Sequence, residues 1–342
     1  MKFCIIRIIA LFPLFATPPV FVHSQSAQTQ KQFIKLYEEY HFEGMPYRLM
    51  KPNDSAEQKN FPLVLSLHGG SGRGTDNIRN LATESEILAT KENRIKYPCF
   101  VLAPQSPRNS NWSFPNVRRP RMSEELLATF PIAYQNRFVR QYLEADKAMA
   151  PKKEVPNGIG KMDKVMRLVE KLSDELPIDK DRIYVVGQSM GGAGAWNAIH
   201  EYPKFFAGAI TSASMLLPWM DPRKFKEVPV WLFHGKGDET VDYQCGVDAF
   251  ERAQNVGANL KFTTLGNEPH GGKTRTIAFS YAGDNPAKGY LTQYASDKCD
   301  RDPWVWEWRF KQKRNWRNLM VTADLHYLLN RISRSIMLSN PT

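Results

Sequence analysis

Residues 187–191 read Gly-Gln-Ser-Met-Gly, a Gly-x-Ser-x-Gly pattern between two segments of different character. The β-branched run at 181–186 is typical of a buried strand, and the alanine-rich run at 193–199 is typical of a helix. A strand, a sharp turn and a helix in this order form a nucleophile elbow, which exposes the serine hydroxyl above the carboxyl edge of a sheet. The pattern predicts Ser189 as a nucleophile; the alternative is a glycine-rich turn without chemistry.

A serine hydroxyl needs a base to react at neutral pH, and the base needs an acid that orients it. Where the serine lies on such an elbow, the acid and then the histidine follow it along the chain. Asp238 comes after a predicted strand at 230–234, and His270 comes after a predicted strand at 260–265. Since ligands bind beyond the carboxyl ends of strands in an open α/β sheet, we predict these two residues as the acid and the base.

Other interpretations of these positions stay open. Asp238 follows a glycine and is also consistent with a turn former, and Asp242 is close enough to be a rival acid. His270 taken alone is also consistent with an ordinary loop histidine. We expect His234, at the end of its strand, to be buried and hydrogen-bonded, and His68 to support a loop.

A glycine-rich loop at 69–74 follows an early predicted strand that ends at His68. A loop of this kind supplies one backbone N–H to a developing oxyanion, and the residue after the nucleophile supplies another. The predicted donors are Gly70 (or Ser71) and Met190. A nucleotide-phosphate loop is the competing interpretation, and it is disfavoured because the Gly-Lys-Ser/Thr ending is missing.

The elements that must position these residues alternate between strand and helix. This alternation predicts a mostly parallel sheet with helices on both faces. A strand pair should turn at Glu43-Gly44, and a last helix should close the sheet. The predicted strands are 63–68, 100–103, 181–186, 206–212, 230–234 and 260–265, and the predicted helices are 160–176, 193–199, 247–255 and 304–312.

Together these segments resemble the secreted esterase-like α/β-hydrolases, a group that includes "predicted peptidases", feruloyl esterases and polyhydroxybutyrate-depolymerase-like proteins. The likeness covers roughly residues 40–112 and 158–272 and a helix around Trp308. The runs that carry it are 47–52, 62–77, 100–105, 182–192 and 228–235. The resemblance implies an α/β-hydrolase fold with a cap, and Ser189, Asp238 and His270 as nucleophile, acid and base.

These observations predict a secreted serine esterase that cleaves carboxylic esters through an acyl-enzyme, without a metal or a cofactor. The resemblance implies a polysaccharide-linked ester, feruloylated or acetylated, as the substrate. One alternative is a serine peptidase of the same fold, since the same triad serves both reactions. Another is a non-catalytic carbohydrate-binding or interaction protein that has kept the fold.

The chain is predicted to be a single domain over residues 25–342, with insertions at 113–157 and 273–303. The first insertion leaves the carboxyl edge of the sheet, so we expect it to form a cap beside the nucleophile. Its arginines, Arg118, Arg119 and Arg121, are expected either to select an acidic or aromatic acyl group or to form a solvated basic loop.

Two further residues are candidates for substrate contact. Trp112, just before the cap, is expected either to line the substrate pocket or to pack beneath the cap. Gln188, the neighbour of the nucleophile, is placed with the candidate substrate-binding residues because of its position. The sequence does not determine the oligomeric state.

Residues 1–24 have the pattern of a secretory signal peptide, with Lys2 and Arg7 flanking an apolar start and a core at 8–15. The pattern predicts a secreted or periplasmic protein with no membrane contact after cleavage; the alternative is a membrane anchor. The formal net charge of +11 is compatible with nucleic acid as a partner, but no binding motif accompanies it. We therefore expect an ester, not nucleic acid, as the partner.

The predicted mature chain keeps three cysteines, Cys99, Cys245 and Cys299. Export permits one disulfide, and we expect it between Cys245 and Cys299. Cys99 precedes a predicted buried strand and is expected to be an inert thiol.

Overall fold

The computed structural model of the protein describes residues 32–53, 59–108, 110–112 and 162–314. The predicted signal peptide and the predicted cap at 113–157 lie outside the described residues. Within the described part of the chain, no helix combines the length and the apolar character that a membrane span requires.

The described residues form one nine-stranded sheet with the strand order β1-β2-β4-β3-β5-β6-β7-β8-β9. The strands from β4 to β8 in this order run parallel, and antiparallel strands flank them at both edges. The bounds are β1 Tyr37–Phe42, β2 Met45–Met50, β3 Phe61–Leu67, β4 Phe100–Pro104, β5 Ile178–Gln188, β6 Gly208–Ser212, β7 Val230–His234, β8 Leu260–Leu265 and β9 Tyr290–Tyr294.

Helices cover both faces of this sheet and divide its core into two layers. One layer contains apolar residues of α3, α4 and α5, and the other contains residues of α1, α6 and α7. The helix bounds are α1 Thr83–Leu88, α2 Lys91–Lys96, α3 Met162–Glu175, α4 Met190–Glu201, α5 Tyr243–Gln254, α6 Lys273–Ala278 and α7 Val305–Lys311. Short 3₁₀ turns of the described residues lie at Gly70–Gly72, Pro222–Lys224 and Pro286–Lys288.

The central strands are apolar on both sides because helices cover both faces. In β3, Leu63 and Leu65 pack into one layer and Val64 packs into the other, as the two-residue period of a strand requires. All of β3 is buried. A parallel sheet of this kind brings the carboxyl ends of β3, β5, β7 and β8 to one edge.

The predicted α/β-hydrolase fold is confirmed, and the strand pair turns at Glu43 and Gly44, both with positive φ. One expectation about the sheet is wrong. Helix α7, the last helix of the described residues, does not close the sheet: it packs on one face, where the Trp308 ring lies 5.3 Å from the Trp231 ring at 78°. The edge is formed instead by β9, which pairs with β8. Its polar, partly exposed residues do not follow the pattern of a buried strand.

The predicted disulfide between Cys245 and Cys299 is also wrong, because the structure has buried thiols at both positions and at Cys99. Cys245 faces the core from α5 and is 0% exposed. The Cys299 thiol donates to the carbonyl oxygen of Leu260 at 3.1 Å, so it is already engaged on the amino side of β8. The thiol expected at Cys99 is present, and burial raises its pKa to about 12.

Candidate active site

Ser189 lies on a sharp turn between β5 and α4, with φ 59° and ψ −124°. Such a backbone conformation is strained for a residue with a side chain, and strain of this kind is concentrated at functional sites. The flanking glycines allow it. A Cβ on Gly191 would lie 1.8 Å from the carbonyl oxygen of Leu67, and one on Gly187 would lie 2.3 Å from Gly191. The elbow therefore packs directly against the end of β3.

Ser189, His270 and Asp238 form a continuous hydrogen-bonded chain across the carboxyl edge of the sheet. The Nε2 atom of His270 lies 2.9 Å from Oγ of Ser189. Its Nδ1 atom lies 2.8 Å from Oδ2 and 3.0 Å from Oδ1 of Asp238. A carboxylate only accepts hydrogen bonds, so Nδ1 carries the proton and Nε2 is left to accept from the serine hydroxyl.

Several further hydrogen bonds hold Asp238. The backbone N–H groups of Thr240 and Val241 donate to Oδ1 at 2.9 and 2.8 Å. Nε2 of His234 lies 3.2 Å from Oδ2, and it donates to the carbonyl oxygen of Val241 at 2.9 Å. Burial opposes ionisation of Asp238, but the hydrogen bonds from His234 and His270 hold its pKa well below the usual range. The carboxylate is therefore charged and fixed in orientation.

The rival acid Asp242 has another position. Its side chain accepts from the backbone N–H of Gln244 at 2.8 Å and caps the start of α5. The structure thus brings Asp238, and not Asp242, to His270. His234 is fully buried and hydrogen-bonded, as the sequence suggested, and it contacts the acid directly.

The loop after β3 lies beside the serine and is braced by His68. Nδ1 of His68 lies 2.7 Å from the carbonyl oxygen of Gly69, and Nε2 accepts from the backbone N–H of Ser106 at 3.0 Å. Burial lowers the pKa of His68 to about 4, so its imidazole is neutral at physiological pH. A Cβ on Gly69 would lie 3.8 Å from Cβ of Ser189, so the loop lies next to the elbow.

The two predicted oxyanion donors flank the elbow. Gly70 begins the 3₁₀ turn of the loop, and Met190 is the first residue of α4. The first N–H groups of a helix have no partner within that helix, so they are available to an anion. Their catalytic role stays a prediction.

Trp112 lies inside the protein and braces the same loop. It is 0% exposed, and its indole N–H donates to the carbonyl oxygen of His68 at 3.0 Å. Asn197 of α4 donates to the carbonyl oxygen of Trp112 at 2.9 Å. Of the two expectations for Trp112, the geometry agrees with packing. Arg118, Arg119 and Arg121 lie outside the described residues.

Gln188 holds the loop that carries His270. Its side-chain amide donates to the backbone carbonyl oxygen of His270. Its Oε1 atom accepts from Nε of Arg275 at 3.0 Å, and Nη1 of Arg275 lies 3.3 Å from the hydroxyl of Thr83. Both ends of the amide are therefore engaged within the protein. Sequence reasoning missed Arg275, because nothing distinguishes one arginine of an insertion from a solvated surface residue.

A polar cavity of about 170 Å³ lies next to this cluster. Gly69 and Gln188 line its side towards the elbow, and Thr83, Glu84 and Arg275 line other parts of it. Because the oxyanion loop and the residue before the nucleophile both border it, the cavity lies beside the elbow.

An elbow serine, a histidine and a buried carboxylate on this fold have the arrangement that serine hydrolases use. Comparisons with known proteins agree with that class. A sequence profile of the family described as Phospholipase/Carboxylesterase matches residues 144–279. Acyl-protein thioesterase 1 of Neurospora crassa is 34% identical over 101 aligned residues, and the alignment covers 27% of this chain and 41% of that protein.

Among solved structures, the crystal structure of a thermostable esterase is similar with a TM-score of 0.58 and 28% sequence identity. The similarity covers 83% of this chain and 64% of that chain. The present chain thus spans less than two thirds of the length of both relatives. The resemblance to esterase-like α/β-hydrolases is confirmed at this broad level, whereas the feruloyl-esterase and depolymerase likeness and the secretion stay predictions.

Proposed function

We propose that the protein is a serine esterase that hydrolyses carboxylic esters, with Ser189 as nucleophile, His270 as base and Asp238 as the orienting acid. The hydrogen-bonded chain from Ser189 Oγ through His270 to Asp238 is the observation that carries this proposal. The match to the Phospholipase/Carboxylesterase profile and the likeness to an esterase structure support it.

The reaction proceeds in two transfers of an acyl group. Ser189 Oγ attacks the ester carbonyl while Nε2 of His270 takes the hydroxyl proton, and the tetrahedral oxyanion accepts hydrogen bonds from Gly70 and Met190. His270 then gives this proton to the leaving alcohol as the C–O bond breaks. Water attacks the acyl-enzyme in the same way, which releases the acid and restores Ser189.

A polysaccharide-linked acyl ester is the substrate class that we propose on the basis of the family resemblance. The Neurospora crassa relative is named as an acyl-protein thioesterase, so a thioester belongs in the same set of test substrates. Hydrolysis of an amide substrate would indicate the peptidase alternative. The two reactions differ in the leaving group, which is an alcohol for an ester and an amine for a peptide.

The test combines active-site labelling with a substrate panel. A fluorophosphonate probe should label the wild type, and Ser189→Ala should abolish the label and reduce hydrolysis of p-nitrophenyl esters by several orders of magnitude. Ser296→Ala is the matched control, since Ser296 donates to Ala258 at the other edge of the sheet. Faster turnover of aminoacyl anilides than of esters would favour a peptidase. A Ser189→Ala variant with one tenth of wild-type activity would exclude Ser189 as the nucleophile.

We also propose that the protein is exported, because Lys2, Arg7 and the apolar run at 8–15 match a signal peptide. N-terminal sequencing of protein recovered outside the cytoplasm should begin close to residue 25. Recovery of the intact N-terminus from the cytoplasm would contradict the proposal.

A further inference from the structure

A second concave surface lies at the opposite edge of the sheet from Ser189. It is a groove of about 900 Å³ formed by the segments that lead into β6, β7 and β8, together with residues 312–314. Ser189 follows the carboxyl end of β5, whereas Ala207, Pro229 and Asn259 in this groove precede their strands. A five-residue strand spans about 17 Å, so the groove is separate from the candidate active site.

The groove is strongly basic. Seven of its side chains are cationic and one, Glu227, is acidic; the cationic ones are Lys204, Arg223, Lys224, Lys226, Lys298, Lys313 and Arg314. Lys298 pairs with Glu227 at 2.7 Å, and Arg223 and Arg314 pair with Asp221 and Asp181 just outside the groove.

The other four lysines have no acidic partner within 4.0 Å among the described residues; they are Lys204, Lys224, Lys226 and Lys313. Like charges gathered in one concavity repel each other, and their combined field attracts an anion. The repulsion is relieved when a polyanion binds along the groove.

The chemistry of the remaining lining restricts what that polyanion is. Phe206 and Phe225 are the aromatic residues of the groove, and they are 3% and 1% exposed, so neither offers a face on which a nucleic-acid base could stack. The exposed large hydrophobic residues of the described chain, Ile78, Ile95, Leu291 and Trp304, all lie elsewhere. The groove therefore has no apolar residue suited to insertion into a lipid bilayer.

We propose that this groove, here called the basic groove, binds a linear polysaccharide that carries repeated carboxylate or sulfate groups. Lysine ammonium groups bind such anions as point charges and without a fixed geometry, which suits a flexible polymer. The site lies away from Ser189, so it would hold a polymer while the opposite edge remains open. The proposal does not depend on the esterase assignment.

The test measures binding of the full chain to polygalacturonate and to heparin, with uncharged xylan as the neutral polymer. The variant replaces Lys204, Lys224, Lys226 and Lys313 with Gln. The matched control replaces the exposed residues Lys35, Lys59, Lys91 and Lys288 with Gln, which changes the net charge by the same amount outside the groove.

At low salt we expect the groove variant to bind the charged polymers about tenfold more weakly than the control variant, since four exposed ion pairs each contribute modestly. Binding of the wild type should weaken as NaCl rises, and xylan should not bind. Melting temperatures of both variants show whether they are folded. If the groove variant is unfolded, the single variants Lys204→Gln and Lys226→Gln replace it, and each should weaken binding by about twofold.

Equal affinities of the two variants would overturn the proposal, because net charge alone would then explain the binding. Tighter binding of single-stranded DNA or of anionic lipid vesicles than of both charged polysaccharides would overturn it as well. Failure of ester hydrolysis would leave these results unaffected, so the two proposals fail separately.

Discussion

Gln188 donates its side-chain amide to the backbone carbonyl oxygen of His270, so the residue before the candidate nucleophile holds the loop of the candidate base. Gly271 and Gly272 follow His270, and a Cβ added to either would meet no atom within 4 Å. The two glycines therefore add no side-chain packing to the loop, and the next support on this side is Thr274, whose hydroxyl donates to the carbonyl oxygen of Pro269 at 2.6 Å. The hydrogen bond from Gln188 is thus a positioning contact for the imidazole.

Replacing Gln188 by Met should lower kcat for p-nitrophenyl acetate by about tenfold to a hundredfold, because a small misplacement of a catalytic group is costly. KM and the melting temperature should change little, since the bond positions the base and does not bind substrate. Gln188→Glu, which keeps an acceptor for Arg275, should have the same defect. Gln244→Met, on the exposed side of α5, is the control. Full kcat in Gln188→Met would show that the contact is dispensable.

Asp238 and Asp242 allow the same substitution to be compared at two neighbouring carboxylates. Asp238→Asn should reduce kcat by about 10⁴-fold, because an amide favours the wrong tautomer of His270. Asp242→Asn should keep nearly full activity and stability, since Asn caps a helix as well as Asp does. Steady-state kinetics and urea unfolding of both variants check this. Similar losses of activity in the two variants would contradict the assignment of the acid.

Glu84 should make the free energy of unfolding depend on pH. Burial raises its pKa from 4.5 to about 7, although Ser66 donates to one of its oxygens. Between pH 4.5 and about 7, the folded state therefore keeps a proton that the unfolded state has released. The contribution of Glu84 to the free energy of unfolding is complete below pH 4.5 and is lost as the pH rises to about 7.

Glu84→Gln removes this titration while preserving the shape of the side chain. The free energy of unfolding of the variant, taken relative to that of the wild type, should rise by roughly 2 to 3 kcal/mol from pH ~5 to pH ~8. Urea unfolding measures this difference. Glu92→Gln, at an exposed position on α2, should show no such gain. A constant difference between Glu84→Gln and wild type across this range would show that Glu84 does not titrate there.

His68 acts with the opposite sign over an overlapping range. Burial lowers its pKa from 6.5 to about 4, so the unfolded state binds a proton first and stability is lost as the pH falls through this range. In the wild type the effects of His68 and Glu84 partly cancel. In Glu84→Gln, the free energy of unfolding should therefore fall by about 1.4 kcal/mol for each unit by which the pH is lowered between ~6.5 and ~4. A profile as flat as that of the wild type would contradict this account.

The three buried cysteines should react as thiols only after unfolding. Burial raises the pKa of both Cys99 and Cys245 to about 12, and Cys299 is 5% exposed. Iodoacetamide should leave all three unmodified in the native protein and alkylate all three in denaturant without prior reduction. Peptide mapping distinguishes the positions. A disulfide-linked peptide that contains Cys245 and Cys299 would show that these two residues form a disulfide and would contradict the structure.

The sequence by itself determined the order of the central strands β3 to β8 and the chain order of serine, acid and histidine. Both are local properties: the apolar period identifies a buried strand, and the glycines at 187 and 191 identify a turn that no larger residue can adopt. The parallel sheet follows from the alternation of strands and helices, and it brings the ends of β5, β7 and β8 to one edge. The neighbourhood of Ser189, Asp238 and His270 could therefore be predicted.

Only the tertiary structure decided which carboxylate faces His270, because Asp238 and Asp242 lie in one short loop and differ in orientation alone. The same is true of Arg275, whose contact with Gln188 joins the second insertion to the elbow across 87 positions of sequence. The edge strand β9 and the separate thiols of Cys245 and Cys299 were missed for a related reason. Such contacts depend on how distant segments pack, and no local pattern of residue types records that packing.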